Sequence, residues 1–369
     1  MKIPICVTLV LLPYSLLVVA GPQETHTPRH HIEIRAVYGG IPEPIMDGRE
    51  KLDEWGLNSV FLHSRSIRPE MVELIHSQGG RIFAEFNTLH VADFLKEHPD
   101  AAPVGPNGEP SPPPHGWQGI CPSHEEYRRF RMTEFRNLLT NLNLDGVWLD
   151  YHHSHASWER DDPVMPDTCF CDRCLKLFSE QTGIDLPLVT TRRKSRLILD
   201  RYRQQWTEWR CRLFADWVRE FREIVDEVSP AALLGTYHNA WRDSDFGGAR
   251  LSKLAIDIQA QRQYLDVISP MVYHARFGHA DDPHWILRQI QWWADYLGLK
   301  GKPEESPWIW PIVQLSDWGK EVGVSDIELV LDYATRPPSR GVMVFAWGPL
   351  RKQPEKIEIL QRYYRMIAP

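Results

Sequence analysis

Apolar and polar residues alternate in short runs along the chain, and segments with helical spacing follow these runs. Strands are predicted at His31–Tyr38, Asn58–His63, Arg81–Asn87, Val147–Asp150, Ala232–His238, Leu265–His274, Trp308–Leu315 and Gly341–Trp347. Helices are predicted at Ile45–Trp55, Pro69–Ser77, Glu125–Leu142, Ser195–Val228, Pro283–Leu297, Ser325–Thr335 and Pro354–Met366. Eight strands alternating with helices predict an α/β chain folded as a (β/α)8 TIM barrel. The expected division is a barrel over 31–369 with a cysteine-rich insertion at about 151–200, after the fourth strand. A Pro- and Gly-rich loop from His98 to Pro122 precedes that strand and is longer than a plain connector needs to be.

The chain begins Met1-Lys2, runs apolar from Ile3 to Val19 with breaks at Pro4 and Pro13, and reaches Val18-x-Ala20. One charge, a short apolar core and small residues match a signal peptide cleaved after Ala20, with 21–30 as a flexible leader. The mature chain is then expected to be secreted or periplasmic, with no membrane span. Over all 369 residues, 43% hydrophobic and 25% charged is ordinary for a globular protein. A net charge of −7 spread over both signs argues against a nucleic-acid surface.

The stretch Leu144-Asp145-Gly146-Val147-Trp148-Leu149-Asp150-Tyr151-His152-His153 reads as a buried strand ending on a carboxylate. In a barrel, the carboxyl ends of strands assemble the active site, so Asp150 is the first catalytic candidate. Glu85, late in the third strand, and Asp317, after the seventh, face the same end, and Asp243 and Asp245 follow the fifth. Tyr151, His152, His153 and His155 crowd the expected mouth. Tyr237, His238, Tyr273, His274, Gln314 and Trp347 end predicted strands, where each could hydrogen-bond to or stack on a ligand.

Five cysteines follow the signal segment: Cys121, Cys169, Cys171, Cys174 and Cys211. An odd number cannot pair completely within one chain. Cys-x-Cys-x-x-Cys suits one metal better than disulfides, and Cys121 could complete a four-thiolate structural zinc site with Cys169, Cys171 and Cys174. Such a site has no open position, so no catalytic role is expected of the metal.

The run Asp145–Asp150, then Cys169-Phe170-Cys171-Asp172-Arg173-Cys174-Leu175-Lys176-Leu177-Phe178, then Gly183-Ile184-Asp185-Leu186-Pro187, resembles the family called hypothetical glycosyl hydrolase 6, grouped with α-L-fucosidase-like barrels. His98-Pro99-Asp100, Gly108 and Cys121-Pro122-Ser123-x-x-x-Tyr127-Arg128 extend the resemblance. The cysteine pattern is similar to the structural zinc site of family-42 β-galactosidases. Those enzymes carry Asn-Glu at the end of the fourth strand where this chain has Asp150-Tyr151, so their catalytic pair does not carry over. An Asp ending the fourth strand is instead similar to α-fucosidases and α-amylases, in which it is the nucleophile.

The resemblance implies a glycoside hydrolase acting on an oligo- or polysaccharide. Asp150 would be the nucleophile, or the general base of an inverting enzyme, and Asp317 is the favoured second carboxyl. A retaining enzyme needs the two roughly 5–5.5 Å apart. Tyr151, His152 and His153 would bind sugar hydroxyls. Two other classes remain open on the sequence: a catalytically silent carbohydrate-binding barrel, and a metal-dependent hydrolase or deacetylase using Asp150 with His152, His153 or His155.

Overall fold

The alternation of side chains along each strand decides the architecture. In the computed structural model, which describes residues 32–302 and 304–369, the strands are β1 (Ile34–Tyr38), β2 (Ser59–His63), β3 (Arg81–Asn87), β4 (Gly146–Asp150), β5 (Leu233–Asn239), β6 (Val267–Val272), β7 (Trp308–Ile309), β8 (Ile312–Gln314) and β9 (Gly341–Phe345). All pair in parallel. β1 to β5 run side by side, β9 pairs with β1 and β8, β8 with β6, and β6 with β5, which closes the ring. β7 and β8 occupy one barrel position, interrupted at Trp310-Pro311 because proline has no N–H to give the ladder. The result is a closed eight-stranded parallel barrel ringed by helices. The predicted signal peptide, the leader and His31 lie outside the described residues. Among the described residues no helix is long and apolar enough to cross a membrane.

Outward-facing residues such as Val60, Ile82, Val147, Leu234 and Ile268 pack against the helices in the larger core. Inward-facing Ile34, Phe61, Phe83, Trp148, Trp310 and Met343 fill the barrel. Phe83 stacks on Phe61 at 4.6 Å, Trp148 meets Phe61 edge-on at 4.9 Å, and Trp148 stacks on Trp310 at 5.4 Å. Trp148 donates its indole N–H to Ser269 Oγ at 2.9 Å, so its buried polar atom is satisfied. Gly235 on the neighbouring strand makes this possible, because a Cβ there would lie 2.2 Å from the Trp148 ring.

Two predicted helices differ. Ile45–Trp55 contains only a turn at Glu43–Met46 and a 3-10 turn at Asp53–Trp55, with Gly48 between them at φ +70°. Ser195–Val228 is two helices, Thr191–Arg201 and Arg203–Val228, divided at Tyr202, whose φ of −123° leaves the helical range. The insertion after β4 also carries the helix Asp172–Thr182, ended by Gly183 in the left-handed conformation that glycine tolerates. Phe170, Phe178, Trp206 and Trp209 form a satellite core between the insertion and the long helix.

Gly235→Ala forces a methyl into the Trp148 ring. The expected cost is about 1–3 kcal/mol, the usual range for overpacking a tight core. A denaturant titration of the variant against wild type reads it directly.

Candidate active site

The last inward-facing residues of the strands form the floor of a cavity of about 280 Å³ at the carboxyl end of the barrel. Asp150 rises from β4, Tyr38 from β1, Tyr237 from β5 and Phe345 from β9, and Tyr273 follows β6. Trp117 from the long loop, Tyr151, and Trp318 from the loop after β8 form the walls. Tyr38 stacks on Phe345 at 5.2 Å, and Trp318 packs on Phe345 at 4.9 Å. Tyr151 sits at φ +49°, a conformation that strains a bulky residue. That geometry lays its ring 5.2 Å from Trp117 and brings its N–H to Asp150 Oδ1 at 2.8 Å.

Three carboxyls gather here. Glu85 is inward-facing two residues before the end of β3, 3% exposed, and receives the Tyr38 hydroxyl on Oε2. It lies behind the cavity wall and hydrogen-bonds to Asp150. Glu159 reaches the cavity from the insertion. Burial first, then the charge of Asp150, raises the Glu85 carboxyl well above its ordinary range, while the Tyr38 hydroxyl works the other way. Burial also raises Asp150, but less, because the Tyr151 N–H and the Glu85 hydrogen bond both favour its charged form. The two act as a pair in which Glu85 holds the proton and donates it to Asp150. Burial and then the charge of Asp150 push Glu159 up to about 8, with the Arg276 guanidinium opposing.

The other candidates have different surroundings. Asp317 turns away from the cavity: Lys356 donates to its Oδ1 at 2.7 Å, the Val322 N–H donates at 2.9 Å, and Gln353 donates to Oδ2. Burial alone would raise its pKa, but these donors leave it below the usual carboxylate value. Asp243 pairs with Arg250, and Asp245 accepts the Arg242 N–H at 2.8 Å.

His152 is buried between Thr88 Oγ1 at 3.2 Å and the Phe214 carbonyl at 2.9 Å. His155 accepts the Gly119 N–H at 3.0 Å and donates to the Pro112 carbonyl at 3.0 Å, tying the long loop to the insertion. His153 borders the gap beside the cavity with Trp117, Tyr151 and Glu159. His238 and His274 face away from the barrel axis and are buried, with ring nitrogens that find no hydrogen-bond partner among the described residues. Gln314 holds the loop after β8: its Oε1 accepts the Arg276 N–H at 3.1 Å and its Nε2 donates to Ser316 O at 2.9 Å. Trp347 packs on Trp55 at 5.6 Å and donates to Glu43 at 3.2 Å, outside the cavity.

Strand period alone could have found Tyr38, the last inward residue of its strand. Glu159, Trp117 and Trp318 sit on irregular segments with no local signal.

Cys121, Cys169, Cys171 and Cys174 converge with their sulfurs all within 4.8 Å of one another. Cys121 lies 3.6 Å from both Cys171 and Cys174, and no disulfide forms among the described residues. Tetrahedral zinc with sulfur at about 2.3 Å separates its ligands by about 3.8 Å, so the donor set and spacing fit that ion. Cys171 caps the Asp172–Thr182 helix, where the positive helix end favours a thiolate. Cys211 stands apart on the long helix, its thiol pushed up to about 12 by burial.

No family model matches the chain, and no curated protein matches it. Solved structures do match. The PgaB (BpsB) glycoside hydrolase domain from Bordetella bronchiseptica aligns at TM-score 0.66 and 14% identity over 90% of this chain and 98% of its own. Gan42B, a GH42 β-galactosidase from G. stearothermophilus, aligns at TM-score 0.61 and 13% identity over 90% of this chain and 56% of its own. α-L-Fucosidase isoenzyme 2 from Paenibacillus thiaminolyticus aligns at TM-score 0.56 and 13% identity over 90% and 49%. This chain thus spans about half of the latter two. At these identities the likeness is one of fold: a barrel of the kind glycoside hydrolases use.

Folded Glu159 keeps a proton that the unfolded chain releases at its ordinary 4.5, since its folded value is about 8. The stability it contributes is therefore complete below about 4.5 and lost as pH rises through about 8. Melting curves across pH 4 to 9 should fall less steeply for Glu159→Gln than for wild type in that window. Parallel curves would show that Glu159 ionises like a surface carboxyl.

Proposed function

We propose that this protein is a glycoside hydrolase, cleaving a glycosidic bond of an oligo- or polysaccharide with Asp150 as nucleophile and Glu159 as general acid. The observation that carries the reading is a pair of carboxyls facing one aromatic cavity with pKa values driven apart, Asp150 to about 6 and Glu159 to about 8. Such separation equips one group to be charged while its neighbour keeps a proton. The fold shared with glycoside hydrolases supports it.

Glu159 gives its proton to the glycosidic oxygen as the bond from that oxygen to the anomeric carbon breaks. The ionised Asp150 attacks the anomeric carbon, forming a glycosyl ester. Glu159, now a carboxylate, takes a proton from water, whose oxygen displaces Asp150 and restores both groups. Neutral Glu85, steadied by Tyr38, donates to Asp150 and favours its anion. The hydroxyls of Tyr38, Tyr237 and Tyr273 offer partners for sugar hydroxyls, and the Trp117 and Trp318 rings offer stacking walls. His152 and His155 spend their ring nitrogens on the hydrogen bonds described above, which weighs against a histidine-based metal hydrolase.

Cys121, Cys169, Cys171 and Cys174 would hold a structural zinc, whose role is to tie the loop bearing Trp117 to the insertion bearing Glu159. We also take the chain to be exported through its amino-terminal signal.

Product release from a panel of polysaccharides and aryl glycosides should show cleavage by wild type and at least about a hundredfold loss in Asp150→Asn. Activity should rise as Asp150 ionises near pH 6 and fall as Glu159 loses its proton near pH 8. Glu159→Gln should lose the alkaline limb along with most activity on substrates with poor leaving groups. Equal cleavage by wild type and Asp150→Asn would end the assignment, and glycan binding without cleavage would favour a carbohydrate-binding barrel.

Metal analysis of the purified protein should find about one zinc per chain. Chelation should lower the melting temperature, and added zinc should restore it. A Cys171→Ser protein that keeps a full equivalent of zinc would remove the cluster as its site.

A further inference from the structure

Beside the cavity, across the wall made by Glu159 and Arg160, lies an open groove of about 530 Å³. The spaces lie in a row: Glu159 lines the cavity and the gap beside it, and Arg160 lines that gap and the groove. The groove's most exposed large hydrophobic side chain is Phe246, 52% exposed, its ring 4.3 Å from that of the buried Trp241 and tilted 38° to it. Phe246 sits at φ +49°, followed by Gly247 at +65° and Gly248 at +80°. A phenylalanine in this conformation is strained, and half-exposed it recovers little by packing. Glycine would stand there without strain, so the backbone does not call for the ring, which packs on Trp241 with one side and leaves the other open to the groove.

Polar groups rim the platform: Arg242 Nε donates to Gln289 Oε1 at 3.1 Å, with Arg288 beside them. Aromatic rings continue back toward the cavity, with Trp158 6.1 Å from Trp241. An apolar face rimmed by hydrogen-bonding groups suits a sugar ring, which offers one C–H face and equatorial hydroxyls.

We propose that Phe246 is the stacking platform of a distal glycan subsite, so that the protein takes a chain of several sugars running from the cavity over the Glu159–Arg160 wall into this groove. The inference rests on the glycoside hydrolase reading, and its test is built to fail separately. Binding is measured on full-length Asp150→Asn protein, which needs no turnover, with oligosaccharide ladders of increasing length from galactan, xylan, cellulose, chitin and polygalacturonate. With at least one ladder, affinity should rise with length to a plateau, and adding Phe246→Ala should remove the length-dependent gain, about tenfold. Phe246→Trp should retain it. The shortest bound member, and hydrolysis of aryl monoglycosides by the Phe246→Ala single variant, should not change. A ladder whose length dependence survives Phe246→Ala overturns the subsite, as does the absence of binding to every ladder. Loss of the hydrolase reading alone, with Phe246-dependent binding intact, leaves the subsite standing.

Discussion

A single packing constraint governs the interior: the barrel is plugged by indole. Trp148 enters the space that Gly235 leaves empty, stacks on Trp310 and fixes its N–H on Ser269. With the lower barrel filled by rings, the next inward-facing position along β4 has no room to sink. Asp150, two residues beyond Trp148, therefore stands on an aromatic floor at the open end. The same period puts Glu85 two residues beyond Phe83. The site's carboxyls are thus placed by the parity of two strands whose lower positions are aromatic.

That placement sets the electrostatics. Carboxyls over an apolar floor lose water, and loss of water favours their neutral forms. What separates them is local hydrogen bonding. Asp150 gains two donors, the Tyr151 N–H and Glu85, and so keeps the lowest proton affinity of the three. Glu159 gains only the nearby Arg276 charge. The strained backbone of Tyr151 belongs to the same account, since it carries the N–H to Asp150 and the ring to the cavity wall.

How much of this could be read from the chain follows from the same physics. The barrel was legible because buried parallel strands declare themselves as short apolar runs between helical segments, and Val147–Asp150 also declared its terminal carboxylate. The cysteine cluster was legible because thiol spacing is local on one side and needs only Cys121 from afar. Asp317 and Glu159 were not distinguishable in this way. Both follow strands on irregular segments, and only the fold shows Lys356 and Gln353 turning one aside while the other points inward. Gln314 and Trp347 ended predicted strands, yet the partners that engage them are loop carbonyls and Glu43, which periodicity cannot foresee.

The cluster of thiols does not line the cavity, and the insertion shows what it is placed to do. Residues Ser157 and Val164 pair across a turn that carries Glu159 and Arg160, and this turn is otherwise irregular chain. Its rigidity must come from its attachments. Lys253 holds Asp167 at 2.7 Å, His155 grips the backbone of the long loop on both ring nitrogens, and the sulfur of Cys121 in that loop lies within 4.8 Å of the three sulfurs of the insertion. Each attachment crosses between segments distant in sequence, so each shortens the lever arm on which Glu159 and Trp117 would otherwise move. In the proposed role of general acid, Glu159 must hold its hydrogen-bond geometry to within a fraction of an ångström. On an irregular segment that precision can only be borrowed from such cross-ties, and both His155 and the cysteine cluster bring the long loop and the insertion together.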